Sequence, residues 1–148
     1  MKKFKFRLDT VLKLKEKALD EKMLELARVT KVLNDAVEYS EKLVNTREEV
    51  NSSLIQIYQS AQCLDLQEVQ SYKDYLIKLT EDINKQEYLI TQIKNALKEK
   101  QNEVQEALKE KNILEKLKEK QSEKHYKEID QKQAMELDDI TISRYRAV

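Results

Sequence analysis

The 148-residue chain contains no glycine, no proline and no tryptophan, and it has one cysteine and one histidine. Average usage would place roughly ten glycines and seven prolines in a chain of this length. Without them the sequence lacks the residues that build left-handed turns, phosphate loops, hairpin turns and bulges. That excludes Gly-rich nucleotide sites, and it argues against any fold of many short strands. Long apolar runs are missing too: the longest is three residues, as in Tyr88-Leu89-Ile90, against the ~20 that a membrane-spanning helix needs. The start, Met1-Lys2-Lys3-Phe4-Lys5-Phe6-Arg7, has no apolar stretch of the secretory type, so no leader is expected. A single Cys63 cannot close an internal disulfide, which suits a reducing cytoplasm. Net charge is also absent, with 28 basic and 28 acidic residues. Nothing global therefore points to nucleic acid, although residues 1–17 carry seven basic side chains to two acidic ones.

What the chain does have is charge (38%) and hydrophobic residues (40%), rich in Glu, Lys, Gln and Leu, the composition of long helices and coiled coils. The order is a seven-residue repeat. With Leu12 as position a, the a row reads Leu12, Leu19, Leu26, Leu33, Ser40, Arg47, Leu54, Ala61, and the d row reads Lys15, Lys22, Val29, Ala36, Leu43, Val50, Ile57, Leu64. Twelve of these sixteen positions are apolar. Only a seven-residue period keeps one stripe facing a partner helix over many turns. The two d lysines weaken the seam near its start, and Met23 and Val37 beside it widen the stripe.

A second register starts at Val69. Its a row is Val69, Leu76, Ile83, Ile90, Leu97, Val104, and its d row is Tyr72, Leu79, Gln86, Ile93, Lys100, Ala107, Leu114. Beyond Val104 the apolar residues Leu108, Ile113, Leu117, Ile129, Leu137 and Ile140 follow no single stripe, which reads as a stutter or the end of pairing. The two registers differ in phase by one residue between Leu64 and Val69, where Asp65 and Glu68 stand at capping-box spacing. These features predict an all-α fold: two long helices in an antiparallel coiled-coil hairpin, forming a single domain over 1–148. Helix 1 spans about 8–61 and helix 2 about 66–142, with a bend near residues 61–66 and short flexible ends. At a rise of ~1.5 Å per residue the helices measure ~80 and ~115 Å, so the second outruns the first, and beyond about residue 120 it projects or packs loosely beside the N-terminus.

Such a hairpin wets most of its surface. The row Glu99, Glu103, Glu106, Glu110 and the neighbouring rows of Lys116, Lys120, Lys124 and Glu115, Glu119, Glu123 read as a solvated face. His125 has no Cys or second His beside it and reads as a surface residue rather than one of the four ligands of a zinc site. Cys63 has no histidine to activate it and is expected to pack at the bend. The carboxylates lack a water-excluding pocket. No catalytic, cofactor-binding or metal-ligating residue is therefore assigned, no cofactor is expected, and the chain reads as a non-enzyme. The tyrosines stand out: Tyr58, Tyr72, Tyr75 and Tyr88 flank the bend, with Tyr39 further along helix 1. Tyr72 belongs to the seam, Tyr75 to its edge, and exposed aromatics of this kind are favoured docking anchors.

Three stretches carry a family likeness: the opening Phe4-Lys5-Phe6-Arg7-Leu8-Asp9-Thr10-Val11-Leu12-Lys13-Leu14-Lys15-Glu16, the block Val69-Gln70-Ser71-Tyr72-Lys73-Asp74-Tyr75-Leu76, and the near-terminal Ile129-Asp130-Gln131-Lys132-Gln133-Ala134-Met135-Glu136-Leu137-Asp138-Asp139-Ile140. Together with the chain length and the helix break in the sixties, they resemble the FliJ family of bacterial flagellar type III export proteins over essentially the whole chain. The resemblance implies an antiparallel coiled coil similar to the central stalk subunit of rotary ATPases. It implies a soluble, cytoplasmic component, peripheral at the inner face of the cell membrane through its partners. Those partners are the export ATPase FliI ring, whose assembly it promotes, the export gate protein FlhA, and flagellar export chaperones; nucleic acid is not among them. It places the ATPase-ring contact at the terminal end, on Phe4, Phe6, Leu8, Leu12, Leu137, Ile140, Arg144 and Tyr145. The gate contact falls on Tyr39, Tyr72, Tyr75 and Leu79, with Leu43 and Val50 nearby but assigned to the seam. A virulence-secretion stalk and a generic structural coiled coil are the alternatives.

Overall fold

The computed structural model describes residues 2–60 and 62–147. Two helices account for most of them, α1 (Asp9–Ser60) and α2 (Leu66–Arg146), packed against each other with no strand among the described residues. Ser and Thr inside such long helices would ordinarily compete for backbone bonds. Here their hydroxyls donate to the carbonyl one turn back, for instance Thr46 to Lys42 (2.8 Å), Ser71 to Gln67 (2.9 Å) and Thr91 to Glu87 (3.0 Å). The backbone ladder is kept.

The connection is made without a left-handed residue, since no described residue has a positive φ. What starts the second helix is Asp65. Its carbonyl accepts from the Val69 N–H at 3.1 Å, and its side-chain Oδ1 accepts from the Gln67 N–H at 3.0 Å. That side chain satisfies one of the orphan donors of the first turn of α2. Ala61, expected at position a, lies outside the described residues. Leu64, expected at d, is exposed because α1 has already ended at Ser60. Cys63 is exposed as well, which corrects the expectation that it packs at the bend: outside both helices there is no seam for it to enter.

Contacts divide the chain into two compact units, Met1–Lys22 with Glu103–Val148, and Met23–Asn102. Within the second of these, the expected seam is where burial occurs. Ala36, Leu54, Val69, Leu79 and Ile83 are buried, Ile83 to 3% exposure, and Leu26, Leu33, Leu43, Val50, Ile57, Leu76, Ile90, Ile93 and Leu97 are half-buried. Positions between them on the heptad, such as Val32, Ile55 and Ile77, are exposed. Met23, expected to widen the seam, is exposed, while Val37 is half-buried. The polar d residue Gln86 donates its amide to the Ala36 carbonyl at 3.0 Å. The small Ala36 side chain leaves room for that approach. Lys100, also at d, reaches Glu25 at 3.0 Å.

In the other unit the N-terminal arm folds onto the helices. Phe6, Leu12 and Leu19 are buried, and Phe4 and Leu8 are half-buried. The two d lysines find acids across the seam: Lys15 meets Glu110 at 2.8 Å and Lys22 meets Glu103 at 3.2 Å. A step of seven forward on α1 matches a step of seven backward on α2, which is the signature of antiparallel pairing. Glu103 and Glu110 thus belong to cross-helix pairs rather than to a purely solvated face. Asp9, the first residue of α1, takes Lys118 at 3.2 Å and Lys13 at 3.4 Å. It also lies where the helix dipole favours a negative charge.

The sequence expectation that the stripe drifts after Val104 holds only for apolar residues. The row continues at the same spacing through Lys111, Lys118 and His125, all half-buried, and the companion row runs Ala107, Leu114, then Ser122 and Ile129 after a one-residue slip. Pairing is therefore carried on by the stems of lysines, whose ammonium groups reach the rim. From Asp130 to Ala147 every described residue is exposed.

Candidate functional site

Two surfaces carry the side chains singled out above, one in each unit. In the unit that contains both chain ends, the sequence-assigned set separates into two groups. Phe6 and Leu12 are buried, and Phe4 and Leu8 are half-buried, so these four hold the arm in place. Phe4 packs against the His125 ring at a centroid distance of 5.7 Å, and His125 in turn meets Tyr126 edge-on at 5.6 Å. His125 Nε2 stands 3.3 Å from the Lys2 carbonyl oxygen. That oxygen can only accept, so Nε2 carries the proton donated there. His125 is thus a packing residue of the arm and not the plain surface histidine the sequence suggests. The signal was its place seven residues after Lys118 and fourteen after Lys111.

Leu137, Ile140, Arg144 and Tyr145 form the other group, and all four are exposed, Tyr145 to 86%. With Thr141 they line one open groove along the surface of α2. Their spacing, i, i+3, i+4, i+7, i+8, is that of a single helix face. Thr141 turns its hydroxyl back to the Leu137 carbonyl at 2.8 Å, which frees its methyl for that face. Thr141 was absent from the sequence-derived set, because a threonine inside a charged helix gives no apolar signal of its own.

In the unit spanning Met23–Asn102, Tyr39 and Tyr75 are exposed, Tyr72 is half-buried in the seam, and Leu79 is buried. Leu43 and Val50 are half-buried. Tyr39 and Tyr75 are therefore the members of this set that are most open to a partner. Tyr58 and Tyr88 are exposed too.

Electrostatically the surface is quiet. Among the described residues no group of three or more His, Cys, Asp or Glu is placed to hold a metal ion, and no polar or charged residue is buried. The Asp9 carboxyl is held below its ordinary value of 3.8, first by the hydrogen bond from Lys118 and then by that from Lys13. This shift belongs to an ion pair that closes the end of the helix pair, not to a poised acid or base.

Fold and surface together define an all-α protein of two antiparallel helices, with its conspicuous side chains displayed outward rather than around an enclosed cavity. The model of the flagellar FliJ protein family matches residues 4–148, essentially the whole chain, and the chain belongs to that family. Membership gives it a flagellar export-related role in a family associated with export rather than known for catalysis. No curated protein and no solved structure matches the chain. Among the described residues, no helix is long and apolar enough to cross a membrane.

Proposed function

We propose that the chain is the stalk of the flagellar export ATPase ring: it enters the FliI hexamer with its terminal end, promotes ring assembly, contacts the export gate FlhA and handles export chaperones. It works in the cytoplasm, at the inner face of the membrane through these partners, and performs no chemistry itself. The observation that carries this reading is the family match over the whole chain together with a wholly exposed α2 segment from Asp130 onward. An exposed Leu137, Ile140, Arg144 and Tyr145 offer a ring lining both apolar contact and positive charge. Tyr39 and Tyr75 are the open aromatic anchors for the gate. Buried Phe6 and Leu12 contribute by fixing the arm rather than by touching the ring.

The test is the full-length double variant Leu137→Asp/Tyr145→Ala. Both side chains are exposed, so its melting temperature and helicity stay at the wild-type values. Its stimulation of ATP hydrolysis by the purified export ATPase is expected to fall to the level of the ATPase alone. Full stimulation by this variant overturns the assignment of the ring contact to the end of α2.

A further inference from the structure

The exposed end of α2 is complementary to itself. Its apolar stripe is centred between Ile140 and Thr141, with Leu137 on one side and Tyr145 on the other. Charge is distributed unevenly about that centre. Glu136, Asp138 and Asp139 precede it, and Arg144 and Arg146 follow it. Laying a second copy antiparallel on the stripe brings Ile140 opposite Thr141 and Leu137 opposite Arg144. At ~100° of helix turn per residue, Glu136 flanks the stripe on the same side to which Arg144 leans. In an antiparallel pair like flanks meet, so each Arg144 falls beside the partner copy's Glu136. The arrangement is isologous, and both ion pairs form at once. A parallel pairing would instead leave the two Glu136 side chains on opposite flanks and set Arg144 against Arg144 near the centre of the stripe. No salt bridge among the described residues engages Glu136 or Arg144, and neither is among those with further contacts.

We infer that two copies of this chain associate antiparallel through the Leu137–Tyr145 face of α2, in a register fixed by reciprocal Glu136–Arg144 pairs. The inference goes beyond the ATPase-stalk reading and does not depend on it. The patch is small, placing the dimer at the weak, exchanging end of protein interfaces, below about 1,200 Å² in total. Association hides the same stripe that the stalk reading offers to the ring, so the free dimer and the ring-bound chain exclude each other.

Sedimentation velocity of the full-length chain alone, over roughly 5–500 μM, tests this without any ATPase present. The wild-type chain is expected to shift from monomer to dimer across that range. Ile140→Asp is expected to stay monomeric with an unchanged circular dichroism melt, because residue 140 is exposed. Glu136→Arg and Arg144→Glu are each expected to weaken self-association on the order of tenfold, since each turns two attractive pairs into repulsive ones. Mixed together, these two variants regain wild-type association, because across the heterodimer both contacts between positions 136 and 144 again join one cation to one acid. A wild-type chain that remains monomeric throughout overturns the inference and leaves the stripe to another occupant. A mixture that associates no better than its separate components overturns the antiparallel register.

Discussion

Ile83 offers the sharpest test of the seam. It is the least exposed of the buried apolar residues, at 3%, and stands at position a of the second register. Ile83→Ala removes three carbons from the stripe between the helices. At about 0.8 kcal/mol per buried methylene, transfer alone costs ~2.4 kcal/mol. A cavity contribution adds to this, but a seam with solvent on both flanks collapses more readily than an enclosed core, so the sum falls near ~3 kcal/mol, inside the usual ~2–5 range. For a chain of this size each kcal/mol moves the midpoint by roughly 2–4 °C, which predicts a fall of about 6–12 °C. The control is Ile77→Ala, six residues earlier on the same helix but 59% exposed. There the better helix propensity of alanine offsets the little surface lost, and the midpoint stays within ~2 °C. Thermal melts at 222 nm and urea titrations of both variants read the difference. Equal midpoints for the two would refute the register, because the two isoleucines differ in which face of α2 they occupy.

Two further outcomes follow from the polar end of the pairing. Lys15→Glu should destabilise by up to about 1 kcal/mol by setting two acids opposite each other, and adding Glu110→Lys should recover most of it; a double variant no more stable than the single would show that the 2.8 Å pair contributes nothing. The Asp9 carboxyl titrates lower when folded than its ordinary 3.8, so its contribution is complete above that value and lost as pH falls through the folded one. Asp9→Asn should therefore flatten the acid limb of stability measured over roughly pH 2–6, and an unchanged limb would place the acid sensitivity elsewhere.

The family likeness was legible because it rests on local sequence, and the match over residues 4–148 agrees with it. The candidate surfaces were legible only in part. Heptad phase put Tyr75 at the edge of the seam, where it is exposed, and put Tyr72 and Leu79 inside it, where they are half-buried and buried. Nothing in the N-terminal segment, which precedes the helices, announced that Phe6 would be buried while Tyr145 at the other end stays open. Both are aromatic residues in basic surroundings, and their fates depend on what lies across from them.

By itself the sequence determined the helices and the stripe that pairs them. Without glycine or proline the chain has few ways to interrupt a helix, so Asp65 could set the start of α2 from its own side chain. A seven-residue apolar period then dictates which face is buried, since burial follows from the geometry of a single helix. Tertiary structure alone decided the polar continuation of the seam and its charge partners. Lys111, Lys118 and His125 carry no apolar signal, yet all three are half-buried, with Asp9 on the Lys118 ammonium and Phe4 against the His125 ring. Lys15 and Lys22 looked like weak points until Glu110 and Glu103 stood opposite them, 95 and 81 residues away in sequence. A charge's partner depends on the register between two distant segments, and that register is the sum of every contact along the pair rather than a property of any one of them.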